Sequence, residues 1–225
     1  MHWLNRSVYT FIKKTIKIYL STFLEFKVWG KENIPPGPKI FCSNHFSSTD
    51  PFYMITIMDD PIHMIIGPGF SLPFFKYMLR LGKQINAMPE KRTTVIPTAI
   101  NYLKNNESIY IFPEGVLNDQ TQLNSFFSGL ARIYLSNPVP IIPIGIISPR
   151  RYVKEKSRNI KIGEIEHKTL TVLTGKFYAN IGEPLRFPEI EKNGLTKENI
   201  NQVTNQIKSN IEFLIMDIKN NKFWS

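Results

Sequence analysis

Four short runs constrain this chain more than anything else in it. Lys39–Ser43 (KIFCS), Ile62–Ile66 (IHMII), Glu107–Phe112 (ESIYIF) and Pro140–Ile147 (PIIPIGII) carry apolar residues in succession rather than in alternation. Strands of that kind are covered on both faces. Between and beyond them lie segments with helical spacing: Pro51–Met58, Leu72–Leu81, Thr93–Leu103, Leu123–Leu135 and Lys197–Lys219. The last places Ile200, Val203, Ile207, Ile211, Leu214 and Ile218 on one face. Gln84–Met88 reads as a further short strand. Thr169–Leu173 and Phe177–Ile181 read as a hairpin turning at Thr174-Gly175-Lys176. Strands alternating with helices predict an α/β layered fold, with a mostly parallel central sheet flanked by helices. At 225 residues, the chain suits one domain with a small appendage.

The appendage is N-terminal. In residues 8–26, Val8, Ile12, Ile16, Tyr19, Phe23 and Phe26 fall at steps of three and four, the stripe of an amphipathic helix. Lys13, Lys14 and Lys17 lie mostly off it. Nowhere is there a run of ~18 apolar residues, so a spanning helix is not expected. Lysines interrupt the only candidate core of a cleaved signal peptide. The helix either lies in a lipid interface or docks its stripe on the domain. The turn-rich stretch from Gly30 to Pro38 follows, so residues 1–29 are expected to be a membrane-associating helix and 30–225 the main domain.

Charge bears on the choice. The net charge is +10, which calls for an anionic partner. Arg6, Lys13, Lys14, Lys17, Lys27 and Lys31 against Glu25 place half of that excess in the first 31 residues. Basic residues on an amphipathic apolar helix suit an acidic leaflet, at about 1 kcal/mol each, rather than nucleic acid. The single cysteine, Cys42, excludes an intrachain disulfide and a multi-cysteine zinc site, and fits a cytosol-facing location.

Two motifs sit at strand ends, where α/β folds bind ligands. The first strand runs into Asn44-His45-Phe46-Ser47-Ser48-Thr49-Asp50-Pro51. A neutral imidazole can take a proton from a hydroxyl, and a carboxylate on its other nitrogen fixes the tautomer. A five-residue loop lets Asp50 fold back on His45; many such pairs are purely structural. The strand Glu107–Phe112 runs into Phe112-Pro113-Glu114-Gly115, where Pro113 stops the strand, Gly115 permits a tight turn and Glu114 is expected at the rim.

The order H-x4-D, then F-P-E-G 69 residues after the histidine, then Val139-Pro140-Ile141-Ile142-Pro143-Ile144, resembles the glycerophospholipid acyltransferase family, of the 1-acyl-sn-glycerol-3-phosphate acyltransferase type. The likeness runs from Gly30 through Ile181-Gly182-Glu183-Pro184. It implies that His45 is a general base oriented by Asp50, acting on the hydroxyl of a lysophospholipid acceptor. It implies an acyl thioester donor, acyl-CoA or acyl-carrier protein, with no cofactor, metal or covalent intermediate. It associates Glu114 and Gly115 with the acceptor, and implies a peripheral enzyme on the cytoplasmic face of a membrane.

A phosphate needs cations or helix N-termini. Lys83 and Arg92 are the candidates in the stretch that corresponds to the family's phosphate-binding block. Two departures stand out. The family's usual Thr-Arg-Ser after F-P-E-G is Val116-Leu117-Asn118 here, and the basic residue usual before the next glycine is missing from Phe126-Phe127-Ser128-Gly129. Lysophosphatidic acid is the expected acceptor; a different lysolipid or glycolipid is the alternative, and a non-catalytic lipid-binding relative is the alternative of another class.

Overall fold

The computed structural model describes residues 3–162 and 165–221. A first helix, α1 (Trp3–Phe23), leads into β1 (Leu24–Trp29). Then come β2 (Ile40–Ser43), α2 (Asp50–Ile57), β3 (Ile62–Ile66), α3 (Pro73–Leu81), β4 (Ile85–Asn86), α4 (Arg92–Lys104) and β5 (Ser108–Ile111). The chain continues through α5 (Gly129–Ser136), β6 (Ile141–Ile147), β7 (Val153–Ile162), β8 (Ile165–Val172), β9 (Gly175–Ile181), α6 (Pro188–Glu191) and α7 (Lys197–Asn220). Seven strands form one sheet in the order β1-β9-β6-β2-β5-β3-β4. From β6 to β4 all neighbours are parallel, so β2, β5, β3 and β6 release the chain at one rim. At the other edge β9 runs antiparallel to β6, and β1 runs parallel to β9. The α/β fold with a mostly parallel sheet is as expected.

Both faces of the sheet are covered, as the apolar runs require. Phe41, Phe46, Tyr53, Met54, Ile142 and Phe177 pack on the face under α1 and α2. Ile40, Ile109, Ile141, Ala131 and Tyr134 pack on the other, with α4, α5 and α7. The foreseen α7 stripe is buried in full, from Ile200 to Ile218. Each such aliphatic side chain contributes about 1.5–3 kcal/mol. Gly145 in β6 lets α7 come this close, since a Cβ there would meet Leu214 and the Ile215 backbone at 2.8 Å.

Four local expectations fail. The first helix ends at Phe23, and Leu24–Trp29 is an edge strand. Its alternation of Leu24, Phe26 and Val28 with Glu25 and Lys27 has the period of a strand, not of a helix. The hairpin of 169–173 with 177–181 does not form. β8 pairs with β7, a strand that was not foreseen, while β9 pairs with β1 and β6. α5 starts at Gly129 rather than Leu123, and β4 is only two residues long.

Only part of the expected α1 stripe turns inward, and Phe23 is exposed. Tyr9 and Leu20 are buried, and Ile16 and Tyr19 pack against the core. The Lys13 ammonium donates to the Met58 carbonyl at the C-terminus of α2, where a cation is favoured. Phe11 and Ile18 point away from the core, with Lys14 and Lys17 exposed beside them. No helix among the described residues is long and apolar enough to cross a membrane.

Candidate active site

The site is built where β2 stops. Ser43 is the last residue paired with β6. Asn44 then extends the ladder with its side chain: Nδ2 donates to the Ile146 carbonyl and Oδ1 accepts from the Ile146 N–H, both at 2.8 Å. The main chain is thereby free to leave the sheet, and His45 stands at the rim. Its ring stacks on Phe112, at 4.1 Å between centroids and 23° between planes.

Asp50, the first residue of α2, folds back on this loop. Its Oδ2 accepts from His45 Nδ1 (2.9 Å), the Phe46 N–H (2.9 Å) and the Ser47 N–H (2.8 Å). Three donors on one oxygen fit a carboxylate. The other oxygen, Oδ1, is buried with no partner among the described residues. Burial pushes the Asp50 pKa up, against the pull of His45 and the two amides. The His45 side chain is 17% exposed, and its Nε2 makes no hydrogen bond to a described residue. With Nδ1–H given to Asp50, that free nitrogen carries the lone pair.

Glu114 is not at the rim. It is buried under His45, and burial raises its pKa although three donors reach it. Oε1 accepts from the His45 N–H (2.8 Å) and Asn118 Nδ2 (2.7 Å); Oε2 accepts from the Asn124 N–H (2.8 Å). Glu114 therefore positions the loop that carries the histidine. Gly115 has φ +65°, and a Cβ there would lie 2.7 Å from the Phe127 ring. Only glycine fits both the turn and the aromatic lid above it.

Among the cations, Arg92 is exposed at the start of α4, on the rim to which β4 delivers the chain. Lys83 is not brought to the site. It precedes β4, at the opposite end of the sheet, three strand spacings (about 14 Å) sideways from β2. Its carbonyl bonds His63 there (2.9 Å).

Several residues around the candidate site were not foreseen. Asn118, noted only as a departure, clamps His45 from the other side: its N–H donates to the His45 carbonyl at 2.7 Å. The end of β8 ties down the outer half of the loop. The Ser48 N–H donates to the Leu170 carbonyl (2.8 Å), the Val172 N–H to Ser47 Oγ (3.1 Å) and the Tyr53 hydroxyl to the Val172 carbonyl. Arg150 and Arg151 follow β6, the strand beside β2, and stand exposed on the same rim. Their place just past a buried strand was a usable signal. Among the described residues no three histidines, cysteines or carboxylates converge as metal ligands would.

A histidine presented at a strand end, oriented by a buried aspartate and backed by a Pro-Glu-Gly turn, narrows the choice of family. A family model described as Acyltransferase matches residues 25–147, more than half of the chain. The chain belongs to the acyltransferase family. It is similar to the chloroplastic 1-acyl-sn-glycerol-3-phosphate acyltransferase LPAT1 of Arabidopsis thaliana, 24% identical over 180 residues, covering 76% of this chain and 49% of that protein. It is also similar to 1-acyl-sn-glycerol-3-phosphate acyltransferase alpha of Homo sapiens, 21% identical over 217 residues, covering 87% and 65%. The chain spans about half the length of the first curated relatives it matches. In fold it is similar to the crystal structure of the 1-acyl-sn-glycerophosphate (LPA) acyltransferase PlsC of Thermotoga maritima. The TM-score is 0.72 at 22% identity, over 98% of this chain and 83% of that one.

Proposed function

We propose that this acyltransferase moves a fatty acyl chain from an acyl thioester, acyl-CoA or acyl-carrier protein, to the free hydroxyl of 1-acyl-glycerol-3-phosphate. The observation that carries it is the free Nε2 of His45, set opposite an Nδ1 held by Asp50. Nε2 takes the acceptor's hydroxyl proton as that oxygen attacks the thioester carbonyl. Asp50 stabilises the imidazolium that results. The tetrahedral oxyanion collapses, the C–S bond breaks, and the departing sulfur takes the proton back from Nε2. Glu114 and Asn118 act at one remove, by fixing the His45 backbone through its N–H and its carbonyl.

In this reading the enzyme works as a peripheral protein on the cytoplasmic face of a membrane. α1 is its membrane-associating element, through the outward Phe11, Lys14 and Ile18. The acceptor's phosphate meets Arg92, Arg150 or Arg151, the exposed cations of the catalytic rim.

One observation favours a second acceptor class, a lysolipid or glycolipid without a terminal phosphate. Val116 (51% exposed) and Phe127 (64%) stand beside Gly115, in the stretches where the family pattern has cations. The test is a transfer assay with purified protein, both donors, and a panel of lysophosphatidic acid, lysophosphatidylcholine and lysoglycolipid. Thiol release that depends on lysophosphatidic acid is expected. Release only with the others moves the acceptor to the second class, and no release with any of them overturns acyl transfer to lysolipids.

A further inference from the structure

α3 contributes to neither core. None of its nine residues is buried, yet its sequence, Pro-Phe-Phe-Lys-Tyr-Met-Leu-Arg-Leu, is mostly apolar. Phe74 is 72% exposed and Tyr77 63%. These two lie three residues apart and so share one line of the helix; Lys76 and Arg80, both exposed, lie four apart beside it. The helix has no acidic residue.

The patch is continuous with the catalytic loop. Phe75 packs edge-on against Phe74 (6.0 Å) and against Phe52 of α2 (6.2 Å), two residues beyond Asp50. α3 also begins shortly after β3 leaves the sheet, at the His45 end. Aromatic rings interleaved with basic residues are the composition of a water–lipid interface. A second copy of the chain suits this surface less well. A two-fold contact sets the same patch against itself, with four cations and no acid from the paired helices.

We infer that α3 is a lipid-contacting element that seats Phe74, Phe75 and Tyr77 in an anionic leaflet, with Lys76 and Arg80 at the headgroups. The leaflet as partner rests on the reading that the acceptor is a membrane lipid. With α2 between α3 and α1, the enzyme meets the leaflet at two separate helices, and the catalytic loop lies next to one of them.

The test is co-sedimentation of the full chain with phosphatidylcholine vesicles, with and without phosphatidylglycerol. F74S/Y77S is expected to lower partitioning about tenfold on both vesicle types. K76Q/R80Q, which removes both charges but no aromatic ring, is expected to lower it about tenfold on the anionic vesicles and far less on the neutral ones. Wild-type partitioning by both variants overturns the inference, as does a wild-type protein that binds neither vesicle. Conversion of a dimer to a monomer by F74S/Y77S, seen by light scattering, also overturns it and gives α3 to a second copy. The readout needs no acyl transfer. A protein that binds through α3 but transfers nothing sustains this inference while the acyl-transfer reading fails.

Discussion

Among the described residues two histidines pair with carboxylates, one at each end of the sheet. His45 meets Asp50 at 2.9 Å, and His63 meets Glu107 at 3.1 Å. Both rings stack on an aromatic neighbour, Phe112 in one case and Tyr102 in the other. The difference lies in the second nitrogen. Nδ1 of His63 donates to the Lys83 carbonyl, a group that can only accept, so both of its nitrogens are engaged. Its side chain is fully buried, and burial lowers its pKa. His45 has one nitrogen held and one open, and it stands where β2 releases the chain. A carboxylate beside a histidine thus says little about catalysis by itself; the unoccupied nitrogen and the end of the sheet carry the distinction.

The contrast can be broken by substitution. His45→Ala is expected to lower the transfer rate about 10³-fold or more with little change in melting temperature. Retained transfer by a folded variant would remove His45 from the mechanism. Asp50→Asn keeps the size but upsets the tautomer, and should cost kcat roughly 100-fold, with KM changing less. Glu114→Gln can satisfy only part of the present set of three donors. A loss of about tenfold in kcat and about 1–3 kcal/mol in stability is expected, measured on one sample by kinetics and denaturant melts. His63→Ala should show the opposite profile: about 2–4 kcal/mol less stable, with kcat within about twofold of wild type.

The smallest expected effect concerns pH. The Asp50 pKa is raised in the folded state above its ordinary 3.8, so its contribution to stability is largest below that value. It is lost as pH rises through the raised folded pKa. Wild type should therefore lose melting temperature relative to Asp50→Asn from about pH 4 upward. A constant difference between the two across that range would mean that Asp50 does not titrate as its burial requires.

The sequence made the layered fold, the strand-end position of His45 and Asp50, and the face of α7 legible, because each depends on local pattern. Lys83 could have been placed as well: it precedes its strand, and ligand sites lie past strand ends. Much of what stayed hidden depends on distant partners. Glu114 looks like a rim residue until Asn118, Asn124 and the His45 amide are seen to surround it. β8 looks like half of a hairpin with β9, because the intervening Gly175 is a turn signal. Its bonds to Ser47 and Ser48 cross long stretches of chain, whereas its pairing with β7 is local and was masked by the charged run Lys154-Glu155-Lys156. β1 was hidden by continuity, since the α1 stripe can be carried on to Phe26 without a break.

The pairing of β1 with β9 has a temporal side. Leu24 lies opposite Gly175, about 150 residues further on. At ~5–20 residues per second, a ribosome needs roughly 8–30 s to make that stretch. For that time the segment that becomes β1 has no strand to pair with, and the outer half of the His45–Asp50 loop still lacks β8. The helix ahead of β1 needs only local contacts and can form early. During that interval the basic, amphipathic α1 can exist as a helix while the loop from His45 to Asp50 still waits for the strand that ties down its outer half.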